Sequence, residues 1–294
     1  MKTRIALFAA LLLLAATTTR TFAQESGDLL DLVKDTTQET EYVNNAFKST
    51  RVINGQSIEM LGAGTLDFRI LHRFGAIKTG VDGLWGLDQS TMRFSFDWVP
   101  ITDLQVGVGR STANREYDAL VKYRLLHQST GARNMPVSVV LDAGVTCWTG
   151  PWTDPTRPNY FSSRLSYYQQ VLVGSKLSED LSLQISPTLI HRNLVPTAGD
   201  PNDIFALGFG GRFKLTNRIA FVVDYYHAFN GMVKDLNYDP LSIGFDIETG
   251  GHVFQLHITN TKGMNERAFV TETYQNFFKG DIQFGFNISR VFQL

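Results

Sequence analysis

Charged side chains at alternating positions are the first candidates for chemistry in this chain of 294 residues. They occur in short segments whose intervening residues are apolar, and they comprise Asp67, Arg69, Arg93, Asp97, Asp118, Lys122, Arg124, Asp142, Asp224 and Asp246. Grouped carboxyl groups can act as general acid and general base. Here basic side chains alternate with the acidic ones, so we predict ion pairs that fill or tune a polar interior.

A second group of candidates lies in one proline-rich loop between residues 148 and 163. Its members are Trp148, Trp152, Asp154, Arg157 and Tyr160. Loops often carry binding residues, and aromatic rings beside charged groups are suited to contact a ligand. The alternative is that these residues pack the loop over the opening of the fold. The sequence leaves both interpretations open.

The histidines give no strong signal for a metal site. His72, His191 and His227 each continue an apolar alternation, which predicts that they point outward and do not converge on one ion. His257 alone is predicted to point inward, and Cys147 is the only cysteine. No serine-hydrolase elbow or zinc-protease motif occurs. We therefore predict no metal, cofactor or catalytic residue, with an enzyme acting on lipid at the rim as an alternative.

Segments of alternating polarity must position these side chains. In the last segment, Ile282, Phe284, Phe286 and Ile288 alternate with Gln283, Gly285, Asn287 and Ser289. A period of two places successive side chains on opposite faces of a β-strand. About twelve such segments of roughly ten residues follow one another from residue 64 to residue 294, as a tilted membrane strand requires.

The connections between the segments alternate between short and long. Short ones lie at 99–103, 176–180, 215–217 and 249–251, with a somewhat longer one at 128–135; long polar ones lie at 75–89, 148–163, 193–203, 230–239 and 260–280, with 110–115 as a short exception among them. All the tight turns fall at one end, which is typical of a transmembrane β-barrel with apolar side chains toward lipid. A soluble exported β protein with an inward apolar face is the alternative.

The N-terminus has the three parts of a secretory signal peptide, predicted to span residues 1–23. Lys2 and Arg4 precede an apolar run, and a small-x-small cleavage signal ends at Ala23. Residues 24–63 are predicted to form a periplasmic extension that reaches under or into the barrel, and residues 64–294 to form the barrel itself. Within the extension, Asn54-Gly55 is a turn signal.

The composition limits the partners of the chain. The formal net charge is −1, charged residues make up 19% and no basic stripe occurs, so nucleic acid is not an expected partner. The residues predicted to form aromatic girdles at the lipid headgroups lie at strand ends and are Trp98, Tyr117, Tyr167, Phe213, Tyr225 and Tyr226. Outer-membrane lipid and, during insertion, the barrel-assembly machinery are the expected partners, and the solute or ligand stays unknown.

Two segments of the chain resemble one protein family. They are Phe47 to Ser57, with the sequence FKSTRVINGQS, and Leu66 to Gly75, with the sequence LDFRILHRFG. Both are similar to patterns of a family of outer-membrane β-barrel proteins of Gram-negative bacteria that carries a domain-of-unknown-function name. The resemblance implies a barrel fold and a location in the cell outer membrane. It implies no substrate and no catalytic residue.

These observations predict an all-β protein, an antiparallel transmembrane β-barrel of about twelve strands with a short N-terminal periplasmic extension. The expected function is not enzymatic. We expect a channel or transport barrel, or a structural barrel, whose polar lumen is partly plugged.

Overall fold

The computed structural model of the chain describes residues 39–152, 154–231 and 236–294. The predicted signal peptide and the first part of the predicted extension lie outside the described residues. The described residues form fourteen strands. They are β1 (Thr40–Tyr42), β2 (Thr65–Ala76), β3 (Ser90–Ile101), β4 (Leu104–Ser111), β5 (Glu116–Leu126), β6 (Ser129–Gly131), β7 (Ser138–Trp148), β8 (Leu165–Lys176), β9 (Leu181–Arg192), β10 (Asp203–Lys214), β11 (Ile219–Ala228), β12 (Leu241–Thr249), β13 (His252–Thr259) and β14 (Gln283–Gln293). A short helix, α1 (Glu266–Thr271), lies between β13 and β14. No helix in the described part of the chain is long and apolar enough to cross a membrane.

Twelve of these strands, β2 to β5 and β7 to β14, close into one antiparallel barrel. Each pairs with the next barrel strand along the chain, and β14 returns to β2 through pairs such as Phe286 with His72. Because every barrel strand has two neighbours, its backbone groups are satisfied within the sheet, which is the condition for a sheet to cross lipid. The predicted all-β fold, an antiparallel barrel of about twelve strands, is confirmed.

The two faces of the barrel wall differ in polarity, as β3 shows. Phe94 and Phe96 point outward, and Phe96 is 49% exposed. Arg93 and Asp97 point inward, and Asp97 is 1% exposed. A soluble protein would bury the rings and expose the charges. The outer surface therefore suits lipid, and the interior is polar.

One end of the barrel has short connections and the other has long loops. At the short-connection end, Gly250 and Gly251 alone join β12 to β13, and both adopt a positive φ, which glycine does without steric cost. At the long-loop end, the strands are joined by residues 77–89, 112–115, 149–164, 193–202, 229–240 and 260–282. The distribution agrees with the alternation of connections in the sequence.

A small two-stranded sheet lies at the short-connection end of the barrel. Strand β1 pairs with β6, which lies in the connection between β5 and β7, and Thr40 faces Gly131. Residues 128–135 are predicted from the sequence to be a turn, because three residues are too few to show an alternation. The Val43 N–H also donates to the Gln128 carbonyl oxygen at 2.8 Å, so residues 40–43 are attached to the connection between β5 and β7.

Residues 46–58, which we call the inner segment, run inside the barrel. All of them except Lys48 are buried, and inward-facing side chains of the wall cover them. The segment folds back on itself, so that Arg51 forms a β-bridge with Gln56. The turn predicted at Asn54-Gly55 therefore lies within the barrel, among the polar side chains of the wall.

Candidate functional site in the barrel interior

The charged residues predicted to face the lumen lie on the inward register of the barrel strands. The buried ones are Asp67, Arg69, Arg93, Asp97, Asp118, Lys122, Asp142, Asp224 and Asp246. Arg124 shares this register but is only partly buried near the short-connection end, where its Nη1 lies 3.4 Å from Asp103 Oδ1. Their partners separate them into ion pairs, groups that hold the inner segment, and groups that meet no partner.

Two ion pairs join residues of the wall to each other. Arg69 Nη2 donates to Asp67 Oδ2 at 2.6 Å, and both side chains are buried. The Arg93 guanidinium makes a two-point contact with Asp118, with Nε 3.0 Å from Oδ1. Moving a charge out of water costs on the order of several kcal/mol per ion. Each of these charges therefore depends on its partner staying in place.

Lys122 holds the inner segment from strand β5. Its ammonium donates to the carbonyl oxygens of Thr50, Ser57 and Glu59 at 3.3, 2.9 and 3.2 Å. An ammonium has three N–H donors, and three backbone acceptors receive them here. This inward cation therefore fixes a piece of the chain inside the barrel.

Asp224 holds the same segment from strand β11. Its Oδ2 accepts the backbone N–H groups of Ile53, Asn54 and Gly55 at 3.3, 2.7 and 2.9 Å. Successive N–H groups that converge in this way form an anion-binding nest. Position 55 requires glycine, because a Cβ there would lie 2.2 Å from the Tyr226 hydroxyl oxygen. The turn and the wall are therefore fitted to each other.

Uncharged side chains of β12, β13 and β14 complete this attachment. The bonds run from Asn54 Nδ2 to Ser242 Oγ at 2.7 Å, from Gln255 Nε2 to the Val52 carbonyl at 2.7 Å and from Asn287 Nδ2 to the Ile53 carbonyl at 2.9 Å. Asp246 acts through Gln255, because its Oδ1 accepts from Gln255 Nε2 at 2.8 Å. The wall thus supplies the partners that a buried stretch of backbone needs.

Three charged residues that hold the inner segment to helix α1 or to the wall are not predicted from the sequence. Arg51 Nη1 of the inner segment lies 3.0 Å from Glu266 Oε1 of α1, and both side chains are buried. Arg73 Nη2 donates to Asn54 Oδ1 at 2.7 Å. Extending the alternation of β2 beyond Asp67 and Arg69 identifies Arg73 as inward. No sequence signal identifies the Arg51–Glu266 pair, because these residues are 215 positions apart and lie outside the strands.

Helix α1 enters the barrel from the long-loop end. Asn265 caps it by accepting the Ala268 N–H at 2.8 Å, and all six helical residues are buried. Phe269 packs edge-on against Tyr226, with ring centroids 5.0 Å apart. The prediction that Tyr226 belongs to the outer aromatic girdle is wrong. Tyr226 shares the register of Asp224, so it points inward and is buried.

Two apolar clusters pack around helix α1 and the inner segment. The cluster around α1 contains Leu120, Tyr168, Ile190, Ile204, Ala206, Tyr226, Ala228, Phe269 and Val270. The cluster around the inner segment contains Ala46, Phe47, Val52, Ile58, Met60, Val140 and Leu172. Asp142 borders the first cluster, because its Oδ1 accepts from the Tyr168 hydroxyl at 3.3 Å. Apolar contact thus supplements the polar bonds to both inner parts.

A buried network of ion pairs anchors α1 to the wall. Arg267 contacts Glu116 of β5 and Glu272, and its Nη1 lies 2.5 Å from Glu272 Oε1. Asn265 Nδ2 also donates to Glu116 Oε2 at 2.8 Å. Burial alone would lower the pKa of Arg267, but attraction to Glu272 and Glu116 outweighs burial and raises it. The guanidinium therefore stays charged and paired.

The wall formed by β3 and β4 carries a row of buried polar atoms that lack partners. We call this row the polar file; it consists of Thr91, Arg93, Ser95, Asp97, Gln105 and Ser111. Thr91 Oγ1, Arg93 Nη1, Ser95 Oγ, both Asp97 carboxylate oxygens, both Gln105 amide atoms and Ser111 Oγ meet no hydrogen-bonding group among the described residues. Such atoms are ordinarily bonded to water when protein supplies no partner. The described residues therefore leave the hydrogen-bonding capacity of the polar file unused.

Two glycines of β4 accommodate the Asp97 and Arg93 side chains, and a cavity borders one end of the polar file. The Asp97 and Arg93 side chains extend over β4, where a Cβ at Gly107 would lie 2.3 Å from Asp97 Oδ1 and one at Gly109 would lie 2.3 Å from Arg93 Nη2. At the long-loop end, a cavity of about 400 Å³ reaches Thr91. The polar file thus begins at a cavity beside the outer loops and continues to Asp97 and Gln105, toward the opposite end.

The structure brings only some of the predicted loop residues together. Trp148 and Trp152 pack edge-on with ring centroids 5.4 Å apart, and the Arg164 guanidinium lies over both rings. Asp154 accepts from the Thr156 hydroxyl at 2.6 Å, and it is exposed. Arg157 and Tyr160 are exposed as well. Arg164, which the sequence analysis does not single out, is the charged residue that the two tryptophans hold.

The histidines lie apart from one another, as the sequence analysis expects. His191 pairs with Asp203 at 2.7 Å and His227 pairs with Asp239 at 2.8 Å, while His72 stacks on Phe286 with ring centroids 4.8 Å apart; all three share the outward register. The interior His257 has no hydrogen-bond partner for either ring nitrogen within the described ranges. The same ranges contain no group of three or more His, Cys, Asp or Glu residues that could hold a metal ion.

Several solved structures are similar to this chain in fold. KdgM porin is 8% identical, and the match covers 78% of this chain and 99% of that one with a TM-score of 0.45. An outer-membrane channel from Pseudomonas putida F1 is 13% identical, with 80% and 98% covered and a TM-score of 0.48. LpxR from Salmonella typhimurium is 11% identical, with 78% and 100% covered and a TM-score of 0.36. No curated protein matches the chain.

One family model matches residues 47–292, which include the barrel, α1 and nearly all of the inner segment. Its description is "Membrane bound beta barrel domain (DUF5777)". The sequence resemblance noted at residues 47–57 and 66–75 is thereby confirmed. The chain belongs to this family of membrane-bound β-barrel domains.

Proposed function

We propose that this protein is a non-enzymatic transport barrel of the outer membrane, with the inner segment and α1 as its plug. In this proposal, water and small ions move along the polar file on the β3–β4 side. The plug sets the width of the path, and movement of the plug admits larger solutes.

The observation that carries the proposal is that the inward side chains of β3 and β4 form no hydrogen bond with the inner segment, whereas side chains of β2, β5, β9 and β11 to β14 all bind it. Asp224, Gln255 and Asn287 bind its backbone from β11, β13 and β14. On β3 and β4, the buried polar atoms of Asp97 and Gln105 meet no partner among the described residues. A purely structural filling would be expected to satisfy all sides, since an unpaired buried polar group costs about 1–3 kcal/mol.

The location in the outer membrane rests on the pattern of the wall and its connections. Apolar side chains face outward, long loops lie at one end, and the family is a membrane-bound one. The predicted signal peptide supports export of the chain. With short connections toward the periplasm, the cavity that reaches Thr91 opens toward the outside of the cell.

Planar-bilayer conductance of the refolded wild-type protein tests the proposal. We expect a small conductance that prefers cations, because Asp97 is the charged group of the polar file without an ion-pair partner among the described residues. The variant Asp97→Asn should lose part of this preference, and Glu179→Gln, at an exposed turn, should keep it. Heat-modifiable gel mobility verifies that each variant is a closed barrel.

A structural barrel with a fixed filling is the second candidate. It is favoured by the many hydrogen bonds that Asp224, Asn54 and Lys122 make inside the barrel. Wild-type protein that shows heat-modifiable mobility but never conducts contradicts transport and supports this second candidate. Conductance that Asp97→Asn leaves unchanged in size and ion preference places the path elsewhere in the barrel.

A further inference from the structure

We propose that the long-loop end carries a binding site for an oxyanion, the carboxylate or phosphate group of a small solute, with Arg192 as its main contact. This site lies above the plug and is separate from the polar file. Its existence does not depend on whether the barrel conducts.

The site is a cavity of about 400 Å³ between the barrel wall and the outer loops. Thr146, Ser166 and Arg192 line it from β7, β8 and β9. The loop after β7 contributes Arg164, and the connection that carries α1 contributes Tyr274. Wall, loop and plug thus meet around one space, which is the arrangement of a pocket rather than of a flat surface.

Arg192 is a buried cation with unused binding capacity. Its residue is 6% exposed, and its Nη2 donates to the Pro201 carbonyl oxygen at 3.0 Å. Its Nε is buried and meets no hydrogen-bonding group in the described part of the chain. No carboxylate of the described residues lies within 4.0 Å of the Arg192 guanidinium, because the nearby Glu116 and Glu272 pair with Arg267. A guanidinium has a fork of donors that matches the two oxygens of a carboxylate or phosphate. A buried cation without an anion is costly unless a ligand supplies the anion.

The other charges around the cavity leave the binding capacity of Arg192 uncompensated. Arg267 is occupied by Glu116 and Glu272, which are the acidic residues of the lining. With Arg164, Arg192 and Arg267 against these two glutamates, the lining has a formal charge of +1. An anion that enters therefore meets a net positive lining, whereas a cation would compete with arginines already in place.

Arg164 adds a second positive group at the edge of the cavity. Its Nη1 donates to the Trp148 and Gly150 carbonyl oxygens at 3.0 and 2.8 Å, and its guanidinium lies 4.0 Å from the Trp152 ring centroid. The two rings hold the guanidinium in one orientation. This contact gives Trp148, predicted from the sequence as a ligand residue, a supporting role beside the bound anion.

Fluorescence titration and calorimetry on the folded full-length protein in detergent test the site. The probes are glucuronate, inorganic phosphate and, as a neutral match of the first, glucose. We expect glucuronate, phosphate or both to bind and glucose not to bind. Binding of glucuronate alone identifies a carboxylate site, and binding of phosphate alone identifies a phosphate site. Absence of binding by both anions, or equal binding of glucose, overturns the proposal.

Three variants locate the binding at Arg192. Arg192→Gln should weaken anion affinity by about tenfold or more, because it removes a charge-assisted contact. Arg192→Lys keeps the charge but loses the fork, so it should retain an intermediate affinity. Arg290→Gln changes an outward arginine at the opposite end of the barrel and should bind as the wild type does. If Arg192→Gln shows heat-modifiable mobility and binds as tightly as the wild type, the assignment is wrong.

Discussion

The two sides of the lumen differ in how they treat their inward polar residues. On the β11–β14 side, Asp224, Gln255 and Asn287 all bind the backbone of the inner segment. On the β3–β4 side, Asp97 and Gln105 are equally buried but contact no hydrogen-bonding group among the described residues. Similar residues at similar positions of the pleat thus differ in role: those of the first side bind the inner segment, and those of the second side do not.

This difference shows that an inward polar residue does not by itself mark a pore. Inward orientation follows from the period of the strand, whereas the role of the residue follows from what lies opposite it. Lys122 illustrates the point, because its charge is used to bind three carbonyl groups of the inner segment. The following expectations test the contrast, beginning with the largest effect.

Asp224→Ala should have the largest effect, because it removes the acceptor for the N–H groups of Ile53, Asn54 and Gly55. We expect a loss of about 3–5 kcal/mol in the binding of the inner segment to the wall, since three buried donors lose one charged acceptor. The released segment should raise bilayer conductance and become accessible to protease. Both readouts are compared with those of Glu179→Gln, which changes an exposed carboxyl group.

An Asp224→Ala protein that keeps its inner segment protected from protease would break the comparison. It would mean that the apolar cluster around Phe47 and Val52 holds the segment without the carboxylate. If the inner segment of this variant is protected from protease and its conductance equals that of the wild type, the inner segment is a fixed filling of the barrel.

The Arg51–Glu266 ion pair should couple the inner segment to helix α1. In a double-mutant cycle with Arg51→Gln and Glu266→Gln, we expect a coupling energy of about 1–3 kcal/mol in the free energy of unfolding. The reason is that either single change leaves a buried charge without its partner. Urea unfolding in detergent measures the effect, and additive single changes would show that the inner segment and α1 are independent.

Narrowing the polar file should lower conductance. In Gly107→Ala, the new Cβ falls 2.3 Å from Asp97 Oδ1, so the carboxylate must shift. We expect conductance to fall by roughly half, because a narrow path is sensitive to the size of one methyl group. Gly211→Ala is the matched control, since its Cβ meets only Phe209 and Leu183 atoms at 3.6 Å and beyond. Equal conductance of the two variants would exclude the β3–β4 path.

Asp97→Asn should change stability far less than Asp224→Asn. Asp97 makes no hydrogen bond to the described residues, so the change to asparagine breaks no contact there and we expect no loss in the free energy of unfolding. Asp224→Asn should cost more, because a neutral amide accepts three N–H groups less strongly than a carboxylate. A large destabilisation in Asp97→Asn would reveal that Asp97 is bonded within the fold.

The smallest effect should be a pH dependence at the short-connection end. Burial, followed by the nearby Arg124, lowers the pKa of His127. The His127 ring contacts Arg124 Nη1 at 3.2 Å through Nδ1 and the Val43 carbonyl at 3.1 Å through Nε2, which fits a neutral ring that accepts at one nitrogen and donates at the other. Because the folded pKa lies below the unfolded value of about 6.5, this contribution to stability is present above pH 6.5 and is lost as the pH falls.

Hydrogen exchange of the β1 and β6 amides measures that effect. Protection of these amides should decrease on acidification below pH 6.5, and His127→Gln should remove most of the dependence. Protection that increases on acidification would show that the charged ring is the favoured form.

The alternation of residues predicts much of the fold and part of the site. Asp67, Arg69, Arg93 and Asp97 are predicted to point inward because polarity alternates locally in each strand, and the same rule extended along β2 identifies Arg73. For Tyr226 the alternation gives the inward register of Asp224, and the girdle prediction is wrong because a position near a strand end does not decide which face a side chain takes. The alternation cannot identify Arg51 or Glu266, because both lie outside the strands.

The amino-acid sequence alone establishes the barrel, its two faces and the end that carries the long loops. A strand period of two and the length of a connection are local properties, so they can be seen in a short stretch of residues. Tertiary structure alone shows that Asp224 binds the inner segment, that Asp97 does not, and that Arg192 borders a cavity. These roles depend on where the inner segment and α1 lie across the lumen, and such contacts join residues as far apart as Arg51 and Glu266.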